Sequence, residues 1–337
     1  MNFRIRNIEK LFPLGGAFFC GVSKNSYLVG TKKWAMKRGE FIKIISGGVV
    51  LLATGRKAQA ATRRGAKQGR SLRFGVLTDT HYSDREVGGT RHYRDSLQKM
   101  QEAIDEFNRA EVDFIIELGD MKDMPKSANP AKTLADLDRI EAIFRQFDGA
   151  TYHALGNHDM DCISKEEFLA HTTNTGRAKG KSYYSFAARG VRCIVLDANF
   201  NADLTPYCRG NFKWTSAQIP PQQLEWLEAE LAAHSNQPTL IFLHQLLDHF
   251  SGVNKNVCVS NAADVVAIIE RHPQVLAVFQ GHHHPGHYSH RNGIHYVTLN
   301  GMIEKAAPAH NSFAIVELSP SGEITITGFR DCPSRKL

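Results

Sequence analysis

The 337-residue sequence is poor in several things, and each shortage removes a class of function. None of its six cysteines forms a Cys-x-x-Cys pair, which excludes a zinc knuckle or a thioredoxin-like redox motif. The apolar stretch at residues 44–54 is too short for a membrane span and is softened by Gly47-Gly48. There is no internal repeat, heptad run or low-complexity tract. Acidic residues are scarce at the start: residues 1–60 hold 2 of the 34 Asp and Glu but 11 of the 41 Lys and Arg. The formal charge of +7 therefore belongs to the N-terminus, and the remainder carries a net −2. The body has no electrostatic case for nucleic acid or another polyanion as partner.

What the N-terminus does have reads as a targeting segment. Lys37-Arg38 and Lys43 form a positive region, the apolar stretch follows, and Ala58-Gln59-Ala60 has the small-x-small form of a cleavage site. Arg38-Gly39-Glu40-Phe41-Ile42-Lys43 resembles a twin-arginine export signal with Gly39 in place of the second arginine. Met36, just before it, offers an alternative start. The expectation is export to the periplasm or the extracellular space, and the competing reading is a disordered basic tail. No cysteine follows the apolar stretch, which argues against a lipid-retained anchor. Five cysteines lie after residue 60, so export would permit a disulfide and leave at least one thiol free.

Residues 61–71, rich in Arg, Gly and Lys, read as a linker, and residues 72–330 as one domain. Apolar residues recur at helical spacing over 96–110, 134–147, 222–234 and 264–271. Strand-like runs lie at 74–78, 114–118, 191–196, 239–243, 275–279, 294–299, 312–318 and 324–328. This alternation predicts mixed sheets with outer helices. Two long polar loops, residues 82–95 and 197–221, are expected to overhang the functional edge of the sheet.

That edge is predicted by five short motifs: Asp79-Thr80-His81, Gly119-Asp120, Gly156-Asn157-His158-Asp159, His244, and Gly281-His282-His283-His284. Most follow directly on a buried-strand run, and strand tips are where α/β proteins assemble sites. Mixed Asp, Asn and His donors suit Mn, Fe, Co or Zn better than calcium. Seven ligands are on offer: Asp79, His81, Asp120, Asn157, His244, His282 and His284. Asp120, the carboxylate closing its own strand, is the natural bridge between two divalent metal ions, and a water on such a pair becomes a nucleophile near neutral pH. His158 is not needed as a ligand. It is placed to donate a proton or to stabilise an oxyanion, with Asp159 expected to hold its ring nitrogen.

In this order the motifs resemble those of calcineurin-like metallophosphoesterases over about residues 72–304. The resemblance implies a four-layer α/β/β/α sandwich, two mixed β-sheets flanked by helices. It also implies that Asp79, His81, Asp120 and His284 hold one metal, that Asp120, Asn157, His244 and His282 hold the other, and that His158 is the catalytic histidine. Purple acid phosphatases, relatives of this family, carry an iron-binding Tyr where this chain has Asp123, so the purple type is not implied. Arg91-His92-Tyr93-Arg94-Asp95-Ser96-Leu97, Gln222-Gln223-Leu224-Glu225-Trp226-Leu227 and Gly293-Ile294-His295-Tyr296-Val297-Thr298-Leu299 resemble the manganese-dependent ADP-ribose/CDP-alcohol diphosphatase branch. That branch implies Mn as the favoured metal and a phosphorylated small molecule as substrate, with a secreted phosphomonoesterase or diesterase left open.

Other residues carry two readings each. Arg91 and Arg94 either clamp a substrate phosphate or are solvated at a helix start. Trp214 and Phe212 either stack on a base or close over the pocket. Asp123 either orients a ligand histidine or caps the next element, and His283, the spacer, is expected to point away from the metals. The function is either hydrolysis of phosphate esters or anhydrides, or metal-dependent binding on a fold that has lost turnover. His158 beside a full ligand set favours the enzyme. The pattern leaves the oligomeric state open.

Overall fold

A computed structural model describes residues 69–176 and 180–337, together with the backbone of four short upstream strands. The chain divides into two compact units, residues 1–66 and 67–337. In the first, β1 (Val22–Ser23) pairs with β2 (Ser26–Tyr27) and β3 (Glu40–Ile45) with β4 (Gly48–Ala53), both antiparallel. The cleavage-site triplet and most of the linker lie outside the described residues.

The second unit begins with β5 (Leu72–Leu77), α1 (Ser96–Arg109), β6 (Phe114–Glu117), α2 (Pro130–Phe144), β7 (Ala150–His153) and α3 (Lys165–His171). It continues through β8 (Tyr184–Ala188), β9 (Val191–Val195), α4 (Pro221–Ala233), β10 (Thr239–Phe242), α5 (Ala262–Ile269) and β11 (Val275–Gln280). It closes with β12 (Pro285–Arg291), β13 (Ile294–Asn300), β14 (Ser312–Leu318), β15 (Ile324–Arg330) and β16 (Arg335–Lys336). One six-stranded sheet has the order β16-β15-β14-β5-β6-β7, the other β12-β13-β11-β10-β9-β8. β5, β6 and β7 run parallel, as do β9, β10, β11 and β13.

Three apolar layers hold this together. Phe74 and Val76 of β5, Phe114 and Ile116 of β6, Phe242 of β10 and Phe279 of β11 fill the space between the sheets. Phe74 stacks on Phe114 at 5.0 Å between ring centroids and meets Phe279 edge-on at 5.5 Å. Truncating one such ring costs about 3–5 kcal/mol. The alternate residues face outward: Ile115 meets Met100, Ile104 and Phe107 of α1 and Leu137 and Ile140 of α2. Gly75 faces the same way, and a Cβ there would sit 2.6 Å from the Phe107 ring, so glycine lets α1 pack close. On the far side, Ile194, Ile241 and Val278 meet Leu227 and Leu231 of α4 and Val265 of α5. The result is the α/β/β/α sandwich that the motifs imply.

All four expected helices and all the expected strands are present. The second helix starts four residues early, because Asn129 caps it and Pro130 opens it. The domain also runs past residue 330: β16 pairs with β15, and Leu337 packs on the central core. β7, β8, β12 and α3 were not expected from the sequence.

Candidate metal centre

The parallel strands deliver the motifs to one edge. β5 leads to Asp79 and His81, β6 to Asp120 and β7 to Asn157, whereas β10 leads to His244 and β11 to His282 and His284. The turns are tight. Asp79, His81, Asp120 and His282 have φ of 52°, 47°, 59° and 64°, a region that Asp and His tolerate better than most side chains but that still costs free energy. The Asp120 and Asn157 turns touch backbone to backbone. A Cβ on Gly156 would collide with the Asp120 amide, and one on Gly119 with the Gly156 amide.

The side chains converge as two groups that share Asp120. Asp79 Oδ1 lies 3.2 Å from His284 Nε2 and 3.6 Å from His81 Nε2, and the two histidine nitrogens face each other at 3.3 Å. Asp120 Oδ2 lies 3.1 Å from His244 Nε2 and 3.6 Å from His81 Nε2, so one oxygen stands between the groups. His244 Nε2 faces His282 Nδ1 at 3.1 Å. The other carboxylate oxygens are already engaged: Asp79 Oδ2 accepts from the His282 amide at 2.9 Å, and Asp120 Oδ1 from the His158 amide at 2.7 Å.

These groups fit a pair of cations. Asp79 Oδ1 and Asn157 Oδ1 are buried with no hydrogen-bond partner, a costly state unless a cation completes them. His244 Nδ1 donates to the Leu118 carbonyl at 2.9 Å and His284 Nδ1 to Glu304 at 2.6 Å, which leaves each Nε2 lone pair aimed inward. Burial disfavours every charge here, but the mutual attraction of acids and imidazoles outweighs it. His284 and His244 draw Asp79 well below the usual carboxylate range, and Asp120 falls likewise beside His244 and His158. Asp120 and Asp79 push His244 up to about 9, and Asp79 does the same for His284. His282, desolvated beside His244, is pushed down to about 3.

His158 is half-buried at the wall of an open cavity of about 530 Å³, lined also by Arg91, Asp120, Asn157, Trp214 and Val257. Its Nδ1 stands 3.4 Å from Asp161 and 3.5 Å from Asp123. Burial would lower its pKa, but the carboxylates of Asp120, Asp123 and Asp161 hold it well above the ordinary value. Buried Lys122 ties Asp161 to the His158 carbonyl.

Asp159 requires a correction, because it does not hold His158. Its carboxylate accepts from the backbone amides of Asp120, Met121 and Gly156 at 3.1, 3.0 and 2.8 Å, so it braces the two ligand turns. Arg94 follows the second of its two readings and does not clamp substrate at the metals. It is paired with Asp84 at 2.7 Å and Glu86 at 2.6 Å on the outer surface and does not line the metal cavity. Arg91 does line it, with Nη1 3.8 Å from Asp123. Asp123 also reaches His81 Nδ1 at 3.5 Å, in keeping with the orienting reading. Phe212 packs 6.0 Å from the His158 ring, whereas Trp214 stays 39% exposed at the cavity wall. His283 stands against Phe250 at the rim.

Asp161 and Glu304 were missed by sequence reasoning. Asp161 lies three residues after His158 on one helical turn, a spacing that puts two side chains on the same face. Glu304 follows the tip of β13, where the strand-tip rule used for the other motifs would have pointed.

A two-sheet α/β/β/α sandwich with a shared carboxylate between two Asp/His groups defines a dinuclear metal-dependent phosphoester hydrolase. The chain belongs to the calcineurin-like phosphoesterase family, whose model matches residues 72–286. Curated relatives include the manganese-dependent ADP-ribose/CDP-alcohol diphosphatases of Arabidopsis thaliana and Bos taurus. The first is 28% identical, spanning 73% of this chain and 90% of that protein. The second is 27% identical, spanning 74% and 89%. Among solved structures, a dimetal phosphatase from Danio rerio has a TM-score of 0.68 at 21% identity and covers 79% of this chain and 98% of its own. A purple acid phosphatase from yellow lupin has a TM-score of 0.54 at 15% identity, covering 78% of this chain and 52% of its own. Both likenesses support the fold.

Proposed function

We propose that this phosphoesterase is a manganese-dependent diphosphatase acting on a small nucleoside diphosphate conjugate of the ADP-ribose or CDP-alcohol type. The observation that carries the hydrolytic reading is His158, oriented by two carboxylates beside a full seven-residue ligand set. A binding-only protein would have no use for it, and relatives spanning most of the chain are named as diphosphatases. Asp79, His81, Asp120 and His284 would hold one cation, and Asp120, Asn157, His244 and His282 the other. When bound, a cation pair supplies a nucleophilic water at neutral pH and neutralises phosphoryl charge. His158, its Nδ1 facing Asp123 and Asp161, offers Nε2 to the leaving oxygen as a proton donor. Arg91 meets a phosphate at the cavity wall, and Trp214 presents an aromatic face suited to a base.

The test is a panel on purified protein with Mn, Zn, Fe and Co against a monoester, a bis-ester, ADP-ribose and a CDP-alcohol. The expected result is fastest turnover of the two diphosphates with Mn; monoester turnover alone would overturn the substrate assignment.

We further propose export. The basic region, the short apolar stretch and Ala58-Gln59-Ala60 support it. The five cysteines after residue 60 are all free and four of them are buried, so the fold asks for no disulfide in either compartment. No helix among the described residues is long and apolar enough to cross a membrane. Mass spectrometry of the mature N-terminus, with cleavage expected after Ala60, checks the assignment.

A further inference from the structure

Lys99, in the first turn of α1, is fully buried and lies outside the site described above. Its ammonium donates to three backbone carbonyls, Met302 at 2.8 Å, Glu304 at 2.9 Å and Lys305 at 2.7 Å. An ammonium has three N–H donors, so all of them are spent on one four-residue segment. Among the described residues no carboxylate lies within ion-pair distance of the ammonium, so the charge is balanced by carbonyl dipoles and by more distant acids. Burial pushes it down to about 8, against the pull of Asp95, Asp331 and Glu304. A lysine kept dry in this way is expensive, and a leucine-like side chain would fill the same volume at less cost.

The clamped segment connects to the site at several points. The Met302 and Ile303 amides donate to the carbonyls of Thr78 and Asp79 at 3.0 and 2.9 Å. The Ile303 carbonyl accepts from the His92 amide and the Lys305 amide donates to the Thr90 carbonyl, which fixes both sides of Arg91. Glu304, between them, accepts a hydrogen bond from His284 Nδ1. Lys305 has φ of 62°, so this turn is not one the segment adopts freely.

We propose that Lys99 is a positioning residue for one of the two metals. It clamps residues 302–305 so that Glu304 fixes the tautomer and orientation of His284 and presents Nε2 beside Asp79. The inference rests on the metal-centre reading. The second ligand group, with His244 braced by the Leu118 carbonyl, does not touch this segment and should not depend on it.

The test is manganese titration of the full chain by calorimetry, with stoichiometry checked by elemental analysis and no reliance on turnover. Lys99→Met and Glu304→Gln are each expected to weaken one of two manganese ions about 10–100-fold and to leave the other at wild-type affinity. Because the lysine acts through the glutamate, the double variant should lose no more than the worse single variant. Additive losses, equal weakening of both ions, or wild-type affinities in either single variant would overturn the proposal. Glu304→Gln keeps the clamp intact, so it remains decisive if Lys99→Met fails to fold. A wild-type chain that binds fewer than two manganese ions would overturn the metal-centre reading itself, and this inference with it.

Discussion

At the scale of single residues, adjacent polar side chains in one motif do different work. His158 faces the cavity, whereas Asp159 faces the backbone behind it. Replacing His158 with Ala should lower kcat by about 10²–10⁴-fold while manganese content holds; steady-state kinetics with elemental analysis checks both halves. Replacing Asp159 with Ala strands three buried amide donors, and an orphaned donor costs about 1–3 kcal/mol. The expected result is a melting temperature lower by many degrees, with the pH profile of any surviving activity unchanged. The two arginines separate in the same way. Arg91→Ala should raise KM for the proposed diphosphate substrate, and Arg94→Ala, which breaks only exposed pairs, should leave kinetics within about twofold.

At the scale of elements, the site depends on how closely the turns approach. Gly156 leaves room for the Asp120 amide, and no rotamer can relieve a backbone collision. Gly156→Ala should therefore push the two turns apart and cut manganese affinity by more than tenfold in a titration, although no ligand is changed. Six of the seven ligands were legible in the sequence because each follows a strong apolar strand whose tip fixes its place, whereas Asn157 was legible only from its Gly-Asn-His-Asp motif. The sequence concealed elements with weak patterns. β12 alternates poorly because it is an edge strand exposed to solvent along much of its length, and β7 and α3 are short. It also concealed Lys99 and the true work of Asp159. Their partners lie on distant segments, so only the packed register reveals them. For Arg94 the sequence left both readings open, because its neighbourhood cannot show that Asp84 and Glu86 turn it outward.

At the scale of the molecule, protonation and metal loading compete. Without cations, His244 and His284 are held at about 9 by the neighbouring aspartates, above the free value near 6.5. A raised histidine pKa stabilises the fold fully below the unfolded value, and that contribution is lost as pH rises through the folded one. The metal-free protein should thus lose stability between about pH 6.5 and 9. Manganese must displace those protons, so its affinity should rise across the same window, with proton release detectable by calorimetry in buffers of different ionisation enthalpy. At a hundredfold excess over Kd, bound metal adds about 2.7 kcal/mol to stability, so chelation should lower the melting temperature.

The two sheets also trace separate stretches of chain. One is built from residues 72–153 and 312–336, the other from residues 184–300, and the backbone crosses between them once in each direction. Each proposed metal takes ligands from both. In connectivity the catalytic centre is thus a subunit boundary enclosed within a single polypeptide. Fragments cut between α3 and β8 would each carry an incomplete ligand set, and neither would hold the proposed metal pair until the β5–β14 pairing and the central apolar layer had rejoined them.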